Sequence, residues 1–258
     1  MSGAEGMLLA AGSGCYALGA GLAWRRRWRS VAWWMLLGAA VFAAAIAVRW
    51  VAVGQGPFLT MFEILLSSLF SLGLVFGIAC QRFPETCQAA PFATLVLLVM
   101  AVWMAFTDPS STPLPATYGN PWLWVHVLMG KLFLGCCLVA SSLAAVGLLP
   151  MRDARSSDVQ LDQAAWRWLT LAFLFHSAML IAGAVWAQDA WGRYWAWDPL
   201  ETWAFATWLA MVAGFHAKVS YRLSSKVERL FVVGVFLIAF LTFFGVPFIS
   251  MAPHKGAV

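Results

Sequence analysis

Apolar runs long enough to cross a bilayer recur eight times along this chain, and no other feature restricts its fold as strongly. A helix spanning the hydrocarbon core needs about 20 predominantly apolar residues. Stretches near 6–24, 31–53, 61–80, 89–107, 121–149, 168–187, 199–217 and 230–249 meet that requirement. They are continuous, unlike the short alternating segments of an outer-membrane barrel. The Gly and Ser residues inside them suit helices that approach closely in lipid. With 62% hydrophobic and 10% charged residues, and a mean hydropathy of +0.80, too little polar sequence remains to cover a soluble domain. The same balance excludes intrinsic disorder, and five Cys are too few for a disulfide scaffold. The expected fold is all-α: a polytopic membrane helix bundle of about eight transmembrane helices, forming one domain over residues 1–258.

The basic residues orient the bundle. One set of loops holds Arg25, Arg26, Arg27, Arg29, Arg82, Arg152, Arg155, Arg167, Lys218, Arg222, Lys226 and Arg229. The opposite set and its span ends hold only Arg49, Lys131, Arg193 and Lys255. Twelve against four puts the first set in the cytoplasm and both termini outside. The net charge of +5 follows from this bias and calls for no nucleic-acid partner. The first run precedes its basic cluster, the reverse of a cleaved signal, and is expected to stay as a span. No C-x-x-C occurs, so the chain is not expected to exchange thiols itself.

The external stretch 186–203 differs from everything else in the chain. Six of the sixteen tryptophans fall between 186 and 208: Trp186, Trp191, Trp195, Trp197, Trp203 and Trp208, with Tyr194 among them. An interfacial aromatic belt accounts for tryptophan at a membrane surface, but a belt should be shared among all the loops. Concentration in one loop suits a platform for a flat apolar ligand, held by stacking and burial. Asp198-Pro-Leu-Glu201 reads either as paired carboxylates for chemistry or, more plainly, as a capping box opening the seventh span. Thr60 to Glu63 and Asn120-Pro121 carry similar start signals.

Four histidines complete the polar inventory. His126 lies about a turn and a half inside the outer end of the fifth span, and His254 follows the outer end of the eighth. Two imidazoles at one depth beside a platform of rings match what an iron porphyrin needs axially, although single interfacial histidines with ordinary hydrogen bonds are common. His216 lies in the inner part of the seventh span, where ionisable groups are rare and functional by default. His176, mid-span beside Ser177, reads equally as an interhelical hydrogen-bonding group. Arg193 could pair a ligand carboxylate or snorkel to the interface.

Trp191-Gly-Arg-Tyr-Trp-Ala-Trp-Asp-Pro-Leu-Glu-Thr-Trp203 resembles the tryptophan-rich WWD signature of the haem-handling proteins of cytochrome c biogenesis. Within that family, the ending E-T-W is similar to the CcsA (ResC) branch of the two-component system; CcmC lacks it and CcmF is far longer. Trp122-Leu-Trp-Val-His126-Val resembles the branch's first external histidine segment, and Pro57 to Glu63 its acidic entry to the third span. The resemblance thus covers nearly the whole chain.

The resemblance implies that haem b, as bound substrate, lies on Trp191, Gly192, Arg193, Tyr194, Trp195, Trp197, Asp198, Glu201 and Trp203. His126 and His254 would be its external axial ligands, and His216 would mark an inner haem site. It implies a CcsB (ResB) membrane partner, a plasma or thylakoid-type membrane, and haem export followed by attachment of vinyl groups to the thiols of an apocytochrome c C-x-x-C-H. The chain would then be part of a holocytochrome c synthase, with proximity as its main contribution. Two other readings stay open: a haem transporter or chaperone of the CcmC type, and a b-type electron-transfer subunit. The C-terminal segment departs from the pattern. Pro247 replaces the family's Asn, and Pro253, before His254, favours approach from a loop.

Overall fold

The computed structural model describes residues 2–56, 59–149 and 158–246; Pro57, Arg152, Arg155 and His254 lie outside them. Every expected apolar run within those limits is a helix: α1 (Gly3–Trp24), α2 (Trp28–Val53), α3 (Met61–Arg82), α4 (Ala90–Ala105), α5 (Pro121–Leu148), α6 (Asp158–Trp191), α7 (Pro199–Ser220) and α8 (Ser225–Phe240). No strand occurs among the described residues. Among the described residues, seven helices are long and apolar enough to cross a membrane, α4 doing so together with the 3-10 turn Pro84–Ala89 that precedes it. The run expected as a seventh span, α7, has the length at 22 residues but not the apolarity. Thr202, Trp203, Thr207, Trp208, His216 and Lys218 dilute it.

Two elements outgrow their sequence limits. At 34 residues, α6 starts ten positions before the apolar run, and its length of about 51 Å exceeds a hydrocarbon core. Its first turns are tied instead to α8, by the Asp162–Arg229 ion pair and the Trp166–Glu228 hydrogen bond. α8 starts at Ser225 and passes at Leu241 into a π turn, Leu241–Gly245, a wider coil found at sites of local rearrangement.

The described helices group into two compact units. In the first, Met1–Leu114, α1 packs on α2 and α4, and α3 packs on α2 and α4. Tyr16 is fully buried and donates its hydroxyl to the Leu69 carbonyl at 2.7 Å. Gly38 and Gly73 leave room for that ring, since a Cβ at either would collide with it. Arg49, read from the sequence as an outer-end charge, is instead 3% exposed and clasps three elements. It pairs with Glu5 on α1 at 3.1 Å and Glu63 on α3 at 3.0 Å, and donates to the Pro109 carbonyl at 2.9 Å. Glu63 also completes the expected capping box with Thr60.

In the second unit, Pro115–Val258, α5 packs along α6 and against α8, and α7 touches α6 and α8 more sparsely. Asn120 accepts from the Trp122 N–H at 2.8 Å and donates to Asp189 at 2.9 Å, tying the start of α5 to the end of α6. At the opposite end, Arg229 of α8 donates to Asp162 of α6 at 2.6 Å and to the Gly147 carbonyl of α5. Glu228 binds Lys218 of α7 and accepts from the Trp166 indole N–H at 2.7 Å.

Candidate functional site

His126, Trp186 and Trp191 gather at one end of the second unit, the end where the loop to α7 begins. Antiparallel packing of α5 on α6 brings the start of one helix beside the end of the other. There the Nδ1 of His126 lies 2.9 Å from the Met179 carbonyl. A carbonyl only accepts, so Nδ1 carries the proton and the lone pair of the neutral ring sits on Nε2. Gly183, one turn on from Met179, makes this approach feasible: a Cβ there would lie 2.6 Å from Nδ1. Trp186 stands 6.1 Å from the imidazole, fixed by donation of its indole N–H to the Thr117 carbonyl at 3.0 Å. Trp191 packs on Trp186 at 4.9 Å, and Tyr118 meets Trp186 edge-on at 5.7 Å. Burial raises the Tyr118 phenol above its ordinary pKa of 10.0, so the ring is neutral at this surface.

The loop between α6 and α7 is held at both ends. Gly192 ends α6 with φ at 72°, its N–H donating to the Gln188 carbonyl at 2.9 Å. The Asp198 carboxylate accepts from the Glu201 N–H at 2.9 Å, as the capping reading expects. The Glu201 carboxylate reaches back to the Ala196 N–H at 2.7 Å. Both acids are thereby engaged in backbone bonds that shape the loop. Between them, Trp197 has φ of 59°, a left-handed conformation that costs a bulky residue about 1–2 kcal/mol and recurs at functional sites.

The rings form two groups on different faces of α6. One surrounds His126. The other runs over α7: Trp195 lies 5.7 Å from Trp197 and 6.0 Å from Phe205, and Phe205 stacks on Trp208 at 6.0 Å. Trp195, Phe205 and Trp208 face Ser177, Leu180, Ile181 and Ala184 of α6 across an apolar groove of about 330 Å³. Tyr194, Trp197 and Trp203 are exposed. Two buried donors in this segment, Arg193 Nε and Trp195 Nε1, have no hydrogen-bond partner among the described residues. Leaving such a group unpaired costs about 1–3 kcal/mol. Each is satisfied only by an acceptor that the segment itself does not supply.

His216 is exposed on α7. His176 is 1% exposed and stacked on Phe133 at 4.1 Å, with both ring nitrogens unpartnered among the described residues. The sequence pointed to His126 and the rings but missed Met179 and Gly183. A small residue one turn from Met179 on the partner helix is the only trace of that contact in the sequence.

A family model described as "Cytochrome C assembly protein" matches residues 24–254. The CcsA cytochrome c biogenesis protein of Synechococcus sp. (strain CC9605) is 29% identical over 252 residues, covering 83% of this chain and 82% of that one. That of Chlamydomonas reinhardtii is 26% identical, over 81% of this chain and 63% of the other. Among solved structures, the cytochrome c haem lyase CcmF superposes with a TM-score of 0.75 at 20% identity, over 95% of this chain and 47% of its own. At that identity the likeness concerns the fold, one built on the same helical plan within a longer chain. From residue 24 to residue 254, through the histidine-bearing helices and the tryptophan loop, the chain belongs to the cytochrome c assembly protein family.

Proposed function

We propose that this chain is the CcsA-type, haem-handling subunit of a cytochrome c synthase, which carries haem to an extracytoplasmic tryptophan segment and presents it to an apocytochrome c. The observation that carries this reading is that an oriented imidazole and, on another face of α6, donors without partners among the described residues occupy the same end of the second unit. His126, with its lone pair on Nε2, supplies an axial ligand, and the Met179 carbonyl sets the ring's direction. Arg193 and Trp195 offer their unpartnered N–H groups to acceptors such as the propionates of haem b. Trp191, Trp195 and Trp197 cover apolar faces, and Gly192, Asp198 and Glu201 shape the loop that holds them. Tyr194 and Trp203, both exposed, are placed to meet the incoming substrate.

Attachment adds each thiol S–H across a vinyl double bond: a C–S bond forms, the proton ends on the other vinyl carbon, and no electrons are gained or lost. The chain therefore needs no general acid or base of its own, and proximity is its contribution. His254 would provide the second external imidazole. His216, exposed on α7, would be matched by a histidine of a CcsB (ResB) partner in a plasma or thylakoid-type membrane.

The test is His126→Ala in the full chain, reconstituted with its partner and apocytochrome. Loss of the external haem spectrum and of thioether-linked product is expected, with helical content retained. Full activity in the variant refutes the ligand assignment. Bound haem in the native complex without any linked product identifies a carrier of the CcmC type instead.

A further inference from the structure

Two cysteines meet where α3 gives way to the 3-10 turn Pro84–Ala89. Cys80 lies in the last turn of α3 and Cys87 in the 3-10 turn, and they are 4% and 3% exposed. The Cys87 thiol donates to the Cys80 carbonyl at 3.5 Å, and the two thiols are within hydrogen-bonding reach of each other. Backbone bonds fix the fold-back that brings them together. The Phe83 N–H donates to the Ala79 carbonyl at 2.9 Å, and the Thr86 N–H to the Phe83 carbonyl at 2.8 Å. The joining residues 81–85 are all exposed, so the pair belongs to a surface turn.

Two further features suit an anionic sulfur–metal group at this place. α4 starts at Ala90, just after Cys87, and the first turn of a helix favours negative charge. Thr86, next to Cys87 in the chain, is 0% exposed, and its hydroxyl has no hydrogen-bond partner among the described residues. A metal-bound thiolate is an acceptor for such a proton.

The donor set narrows the choice of metal. Among the described residues, no group of three or more His, Cys, Asp or Glu side chains is placed to hold an ion, so the four ligands that zinc prefers are not assembled. Two thiols suffice for a soft monovalent ion, which thiolates select over harder ones. Arg82, at the same end of α3, belongs to the basic set that the sequence places in the cytoplasm, where thiols stay reduced.

We propose that Cys80 and Cys87 form a two-coordinate site for a soft monovalent metal, copper(I). On binding, each thiol releases its proton to solvent and forms one S–Cu bond. The metal stays copper(I), two protons leave, and no electron is transferred. The site lies in the first unit and is independent of the haem reading.

The full chain in nanodiscs is titrated anaerobically with copper(I) against a chromophoric copper(I) chelator. The chain is expected to withdraw a single ion, with X-ray absorption at the copper edge showing two sulfur neighbours. Cys80→Ser and Cys87→Ser are each expected to weaken binding by more than the roughly 100-fold that losing an orienting partner behind a ligand costs. The double variant Cys136→Ser with Cys137→Ser, which removes the adjacent thiols of α5, is expected to bind like the native chain. Circular dichroism verifies that each variant keeps its helical content. Failure of the native chain to take copper from the chelator overturns the proposal. So does binding that survives Cys80→Ser or Cys87→Ser, or that the folded α5 variant loses. Copper with more than two strong neighbours, or displaced by zinc, overturns the two-coordinate assignment.

Discussion

His126 is useful only because of what surrounds it. An interfacial histidine without a fixed partner would exchange tautomers and rotate; donation to the Met179 carbonyl removes both freedoms. Gly183→Ala tests this directly, because a Cβ 2.6 Å from Nδ1 must push the ring off that carbonyl. Haem affinity at the outer site is expected to fall about 10- to 100-fold, the range for losing an orienting partner behind a metal ligand. Gly21→Ala is the control, since nothing lies within 4 Å of its added Cβ; haem titration should leave it unchanged. Unaltered binding by Gly183→Ala would sink the orienting role. The residue itself was legible in the sequence, where a histidine just inside a span, near concentrated tryptophan, is conspicuous. Met179 and Gly183 were not, because a backbone carbonyl has no side-chain signature and the contact joins positions 53 apart in the chain.

Among the elements, the clasp at Arg49 shows how helices gain contacts that apolar patterning does not encode. Its guanidinium reaches Glu5, Glu63 and a loop carbonyl at once, using the spread of donors that a lysine lacks. Removing it leaves Glu63, 1% exposed, without its cation. Arg49→Ala is therefore expected to cost about 3–5 kcal/mol. Arg49→Lys should recover only part of that loss, since one ammonium cannot replace the fork. Denaturant titration in detergent, followed by circular dichroism, ranks the variants; a lysine variant as stable as the native chain would show that charge alone suffices. The helices themselves, by contrast, were readable from runs and caps, as the Thr60 to Glu63 box shows. Where the sequence reading fell short, at the ten extra residues of α6, the Asp162–Arg229 ion pair to α8 holds a segment that is not apolar.

For the whole molecule, the question is which ends of the helices share a side of the membrane. Tyr194 precedes α7 and Arg222 follows it; both are exposed, while all five cysteines are buried. Tyr194→Cys is expected to react with a membrane-impermeant maleimide from outside, and Arg222→Cys only after permeabilisation. Labelling of both from one side would mean that α7, the helix short of apolar residues, does not cross. The sequence by itself determined the helical class, the order of the spans and the tryptophan loop, because bilayer thickness and helix capping act on contiguous residues. Tertiary structure alone decided that the rings divide between two faces of α6, that His126 is aimed by α6, and that Arg193 and Trp195 retain unpaired donors. Those outcomes depend on which faces meet when separate helices pack, and contacts between distant positions are not written in local pattern.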